Sequence, residues 1–153
     1  AQIVAEHNAG LVIMHTKGTP ANMMKLTNYD NLIEEVKGFL ISASQSAIST
    51  GVSRESIILD PGIGFAKNLN QNLEIIRNAD KFKETGFPLM IGPSRKSFIG
   101  AIIAEECPTK RGWGTAGVVA YLAMKKINFI RVHDVKEMSD VLKVIKAISD
   151  IHE

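Results

Sequence analysis

Cys107 is the one cysteine in 153 residues, too few for an internal disulfide framework. It fits a reducing, cytoplasmic setting better than a secreted, disulfide-stapled domain. No apolar run approaches the roughly 18 residues that a membrane-spanning helix needs, so no membrane partner is expected. An excess of one charge is also missing. Lys and Arg number 18 against 16 Asp and Glu, a net charge of +2. Without a broad basic surface, nucleic acid is not an expected partner. The opening stretch, A-Q-I-V-A-E-H-N-A-G, lacks an initiator Met and the charged-then-apolar order of a signal peptide. It reads as the last turns of a helix closed by Gly10, and a fragment is therefore expected.

What is present is an ordinary globular composition, 45% hydrophobic and 22% charged, enough for one modest core. Four apolar runs are too short for helices and read as strands: Leu11 to His15, Ser56 to Leu59, Pro88 to Ile91 and Asn128 to Val132. Continuous apolar character, as in L-V-I-M-H, predicts a strand buried on both faces of a parallel sheet. Helical spacing fills most of the intervals. Leu32 to Ser49 places Leu32, Val36, Phe39, Leu40, Ala43 and Ala47 on one face, with Asp30 as cap and Gly51 as stop. Asn68 to Glu84 turns Leu69, Leu73, Ile76 and Phe82 inward and stops at Gly86. A small-residue helix starts at Arg111, with Trp113 packed near its beginning. Ser139 to His152 directs Val141, Leu142, Val144, Ile145, Ile148 and Ile151 to the core. Asn22 to Asn28 is irregular or a short helical connection. Strand-then-helix, repeated about every 35–45 residues, predicts an α/β fold with a parallel sheet and right-handed crossovers.

Polar residues collect where each apolar run ends. Pro88 to Gly100, P-L-M-I-G-P-S-R-K-S-F-I-G, breaks at Gly92-Pro93 and presents Ser94, Arg95, Lys96 and Ser97 together. Two cations and two hydroxyls at a strand's C-terminal mouth suit an anionic or electron-rich ligand. A solvated basic turn is the plain alternative. D-P-G-I-G-F-A-K places Asp60 before a tight loop and Phe65 as a flat wall. Asp60 can accept from adjacent N–H groups of a ring, or simply cap its own loop as an Asx-turn. His15 and Lys17 end the first run, and a locally satisfied histidine is the competing reading there. Arg131, His133 and Asp134 end the last. All four clusters fall on one rim of a parallel sheet, where they are expected to converge on one site. The set is cationic with one acid, which suits a ligand with an anionic part near Lys96, Arg131 and His133 and a donor-rich ring against Asp60.

L-V-I-M-H-T-K-G-T-P, D-P-G-I-G-F-A-K, G-P-S-R-K-S-F-I-G and R-V-H-D-V stand in an order and spacing that resemble the C-terminal half of the dihydropteroate synthase family. S-R-K-S-F-I-G is specific to that family, whereas D-P-G-x-G-F is shared with pterin-binding methyltransferase domains. The resemblance covers essentially the whole chain. It implies the second half of a TIM (β/α)8 barrel: four βα units, strands 5–8, as a single partial domain. It also implies a reaction, the condensation of p-aminobenzoate with 6-hydroxymethyl-7,8-dihydropterin pyrophosphate to dihydropteroate and pyrophosphate. Carried over by position, Met14, Asp60, Phe65, Gly92 and Lys96 resemble the pterin pocket. Arg131 and His133 resemble the pyrophosphate site and, with Lys96, the catalytic set. Arg95, Ser97 and Phe65 resemble the p-aminobenzoate site, where sulfonamides compete.

Mg²⁺ is implied as a cofactor, with its ligands expected in the missing N-terminal half and no metal ligand in this segment. The family's N-T-P-D-S-F loop, a second flexible loop, and an Asp and an Asn on the pterin have no counterpart here. Pro93 stands where Thr or Ala is usual, and Ala66 where Gly is common. The fragment alone is therefore expected to have little or no activity. Pairing as a homodimer, or with the missing half-barrel, is expected to cover its open edges. Two rival readings are a methyltransferase-type pterin- or folate-binding domain and a half-barrel scaffold without a ligand.

Overall fold

Four parallel strands stand side by side in chain order. In the computed structural model, which describes residues 1–149, β1 is Leu11–Met14, β2 Ile57–Asp60, β3 Met90–Ile91 and β4 Phe129–Ile130. β1 pairs with β2 from Leu11↔Ile57 to Met14↔Asp60, and β3 with β4 at Met90↔Phe129 and Ile91↔Ile130. A parallel bridge, Leu59↔Leu89, joins the two pairs, and the Leu59 N–H donates to the Pro88 carbonyl at 2.9 Å. Register then puts Met14, Asp60, Ile91 and Ile130 at one edge, so the loops that follow them share a rim.

Helices intervene as the spacing predicts, with differences of detail. α1 (Gln2–Glu6) ends before Asn8, which takes the left-handed backbone at φ +49°; Gly10 is not the stop. A 3₁₀ turn, Met23–Lys25, lies in the polar connection. α2 spans Leu32–Ser49 and its stop is Gly51, at φ +100°. Its cap is Asn31, not Asp30: Asn31 Oδ1 accepts from the Glu34 N–H at 3.2 Å, while Glu35 Oε1 accepts from the N–H groups of Asp30 and Asn31. Predicted as one helix, 68–84 is two, α3 (Leu69–Arg77) and α4 (Ala79–Lys83). Asn78 breaks them, its side chain donating back to the Glu74 carbonyl. β3 is followed by two helices, α5 (Ser97–Ile103) and α6 (Gly112–Met124), of which the sequence reading anticipated only the second. α7 is Val135–Ser149 and starts four residues earlier than expected.

One face of the sheet carries the core. Ile57, Leu59, Leu89 and Ile91 are buried against Val36 and Leu40 of α2, Ile75 and Ile76 of α3, Phe82 of α4 and Leu122 of α6. Each such side chain contributes about 1.5–3 kcal/mol by leaving water. The other expectations of burial fail where no neighbouring element covers the side chain among the described residues. β1 is not buried on both faces, since Val12 is 45% exposed. Trp113 is 90% exposed rather than packed. Phe39, Leu69, Leu142, Val144 and Ile148 are exposed too, and Met138 is the buried residue of α7. Ile151 and His152, at the expected end of that helix, lie outside the described residues. Among the described residues no helix is long and apolar enough to cross a membrane.

Candidate active site

Asp60 is the last residue of β2 and only 5% exposed. Its Oδ1 accepts from the Gly62 N–H at 2.7 Å, so the Asx-turn forms. Oδ2 makes no hydrogen bond among the described residues. Burial pushes the carboxyl up, opposed by the Gly62 N–H and by the charges of Arg131, Lys96 and Lys67. Asp60 thus caps its own loop through Oδ1 and lies within the field of three cations.

The loop after Asp60 is built around close contacts. Gly62 and Gly64 have φ of +70° and +79°. A Cβ on Gly62 would overlap the His15 carbonyl oxygen, and one on Gly64 would meet the stem of Lys96 at 2.9 Å. Lys96 therefore lies across Gly64, with its Nζ 4.0 Å from the centroid of the Phe65 ring. Burial lowers the Lys96 pKa, Arg131 adds to this, and Asp60 opposes it. Met14 reaches the same loop, its Cγ 3.4 Å from the Gly62 Cβ position.

Lys67, a residue that the sequence reading did not single out, anchors this loop from beneath. It is 1% exposed. Its Nζ donates to the carbonyls of Gly62 and Phe65, at 3.1 and 3.0 Å, and lies 3.0 Å from His15 Nδ1. Burial lowers Lys67 to about 7 and is the largest cause of His15 falling to about 4, with Lys67 and Lys17 adding to the latter. Three acceptors around Nζ match the three N–H bonds of an ammonium, with neutral His15 accepting at Nδ1. Its partners are chiefly backbone carbonyls, which leave no mark in the sequence. Asn72 of α3 completes the brace, accepting from the Gly64 N–H at 2.6 Å and donating to the carbonyls of Lys67 and Asn68.

The cations gather on the other side. Gly92, Ser94, Arg95, Lys96, Pro108, Arg131 and His133 line a cavity of about 440 Å³ with no carboxylate in its wall. The Arg131 guanidinium rests on Gly92, where a Cβ would stand 3.2 Å from Nη2. Ser94 Oγ lies 2.9 Å from His133 Nδ1. Arg95 has φ +62° and pairs with Asp134, Nη2 to Oδ1, at 2.6 Å. A second unanticipated residue supports it: Arg111, buried, donates to the carbonyls of Arg95, Glu105 and Glu106.

The expected convergence is thus incomplete. Asp60, Phe65, Lys96, Gly92, Arg95, Arg131 and His133 come together around the cavity and its neighbouring loop. The His15/Lys17 cluster does not join them. His15 is buried on Lys67 and against the rings of Tyr29 and Phe39, and Lys17 sits over Tyr29 and pairs with Glu35 at 3.1 Å. Ser97, first residue of α5, is exposed and is not in the cavity wall. Among the described residues no group of three or more His, Cys, Asp or Glu could hold a metal ion.

Residues 1–133 match the pterin binding enzyme family. A dihydropteroate synthase of Synechocystis sp. is 42% identical over 146 residues, covering 95% of this chain and 50% of that protein. The structure of Thermus thermophilus dihydropteroate synthase in complex with 4-aminobenzoate superposes with a TM-score of 0.92 at 36% identity, covering 97% of this chain and 60% of that one. Yersinia pestis dihydropteroate synthase, solved with a sulfonamide drug, gives 0.91 at 30% identity, with 95% and 53% covered. The chain spans about half the length of the Synechocystis protein that it matches.

Proposed function

Because this chain belongs to the pterin binding enzyme family, we propose that it forms strands 5–8, the last four βα units, of a dihydropteroate synthase barrel. In that reading it is one partial domain. It supplies part of a site that condenses p-aminobenzoate with 6-hydroxymethyl-7,8-dihydropterin pyrophosphate. The observation that carries the reading is the buried Asp60 facing the charges of Arg131 and Lys96, next to a cavity walled by cations and free of carboxylates.

Asp60 accepts from the amino-pyrimidine edge of the pterin, with Met14, Phe65, Gly92 and Lys96 around the ring. Arg131 and His133, with Lys96, draw off negative charge as pyrophosphate leaves. The aniline nitrogen of p-aminobenzoate then attacks the exocyclic carbon. Arg95, Phe65 and Ser97 lie on the side proposed for p-aminobenzoate and for competing sulfonamides. Arg95 lines the cavity and is held by its ion pair with Asp134, and Ser97 is the weakest member, since it stands outside the cavity wall. We assign Mg²⁺ to the other half and route no step through it. Full activity is proposed to need the complementary half to complete the site; a second copy would cover the open edges without supplying the missing loops. Free, exposed Cys107 supports a reducing, cytoplasmic setting.

Calorimetric titration of a dihydropterin into the folded chain and into Asp60→Asn tests this. Binding that weakens roughly 10- to 100-fold in the variant is expected, the worth of a charged hydrogen bond. If wild type binds only after the complementary half is added, the same comparison is made in that mixture. Equal binding by Asp60→Asn would overturn the assignment.

A further inference from the structure

We propose that Ser94 is a positioning residue that holds the His133 imidazole with a proton on Nε2, as a hydrogen-bond donor in the cavity. Ser94 is buried on the loop after β3, and His133 stands on the loop after β4. The His133 backbone N–H donates to Ser94 Oγ at 3.3 Å, and Oγ lies 2.9 Å from His133 Nδ1. Among the described residues Oγ has no other hydrogen-bond partner.

The serine hydroxyl has one proton to donate and two lone pairs. One lone pair takes the backbone N–H. If neutral His133 carried its proton on Nδ1, Oγ would accept twice and its own proton would have no acceptor among the described residues. With the proton on Nε2 the hydroxyl donates to Nδ1 and every group is satisfied. In the imidazolium, Nδ1–H donates to Oγ and Nε2–H is unchanged. Either way the nitrogen left for a ligand is a donor. The consequence rests on the anion reading of the cavity. Lys96, Arg95 and Arg131 line the same wall and also offer only donors, so an Nε2 lone pair would be the one element repelling a phosphate oxygen. The Arg95–Asp134 pair, 2.6 Å, joins the residues that follow Ser94 and His133 and keeps the two loops in register.

Two-bond ¹H–¹⁵N correlation of the imidazole rings in the labelled protein reads the tautomer directly. His133→Gln identifies the signal, and spectra are taken at a pH above the midpoint observed for His133 in the same titration. Wild type is expected to show a protonated Nε2 and a bare Nδ1. Ser94→Ala, with its amide spectrum checked for an intact fold, is expected to show both nitrogens averaging between tautomers. Ser94→Thr is expected to restore the wild-type pattern. A wild-type His133 protonated on Nδ1 overturns the proposal even if neither variant folds, and so does an unchanged pattern in Ser94→Ala. Inorganic pyrophosphate is added last. Ser94→Ala is expected to bind it roughly threefold to tenfold more weakly. A fixed Nε2–H tautomer with no response to pyrophosphate upholds the role of Ser94 and counts against the anion reading alone.

Discussion

Lys67 at the mouth of β1 and β2 and Arg131 at the mouth of β3 and β4 are cations in opposite condition. At the first, Lys67 is sealed, all its N–H bonds have acceptors inside the protein, and burial has pulled it to about 7. At the second, Arg131 and His133 are exposed and face a cavity without a carboxylate. A buried charge with satisfied hydrogen bonds braces a loop, because moving it would strand carbonyls away from water. An exposed cation without a partner costs little to keep and remains free to meet an anion. One side is therefore scaffolding for Asp60 and Phe65, and the other side is available for binding.

Gly62 is the position of the first mouth most sensitive to substitution. Gly62→Ala puts a Cβ into the His15 carbonyl and into a left-handed backbone, so β1 and the loop must separate. A loss of about 3 kcal/mol or more in urea unfolding is expected, beyond the usual range for a single methyl group. Lys67→Met comes next. Losing hydrogen bonds to two carbonyls should cost about 1–3 kcal/mol, and pterin binding should weaken as Asp60 and Phe65 loosen. The same variant tests the burial of the Lys67 charge. Lys67 titrates near 7 when folded and at 10.5 by its ordinary value. Between those pH values the unfolded chain binds the extra proton, so stability should rise with pH in the wild type. Unfolding measured from pH 7 to 10 should show that rise, and Lys67→Met should flatten it. A wild-type slope equal to that of the variant would mean that Lys67 is not buried as described. Arg131→Ala has the smallest effect on folding, within about 0.5 kcal/mol, as for exposed sites. Pyrophosphate binding should nonetheless fall roughly tenfold. Loss of stability with unchanged pyrophosphate binding would reverse the roles of the two mouths.

The two mouths also differed in how far the sequence revealed them. S-R-K-S and R-V-H-D were readable because cations at the end of apolar runs stand out against strand chemistry, and the parallel register brings them to one rim. Asp60 was readable for the same reason. Lys67 and Arg111 were not, since each acts on backbone carbonyls brought from other turns of the chain, and carbonyls have no sequence signature. His15 and Lys17 looked like a fourth cluster because periodicity places residues along a strand but does not say which partner captures them. Tyr29, Phe39 and Glu35, from the connection and α2, decided that. The break at Asn78 and the start of α5 at Ser97 escaped for a related reason. Local side-chain bonds and the packing of a short helix override a weak periodic signal.

The alternation of strand and helix, the parallel order that follows from it, and the residue types at the rim are legible from apolar period and charge alone, because these are local properties. Only the tertiary structure decided which cations are sealed and which stay open. That depends on the desolvation and acceptors at each Nζ or guanidinium: the folded loop turns the Gly62 and Phe65 carbonyls onto Lys67, His15 reaches it from β1, and Gly92 of the β3 loop lies beneath Arg131.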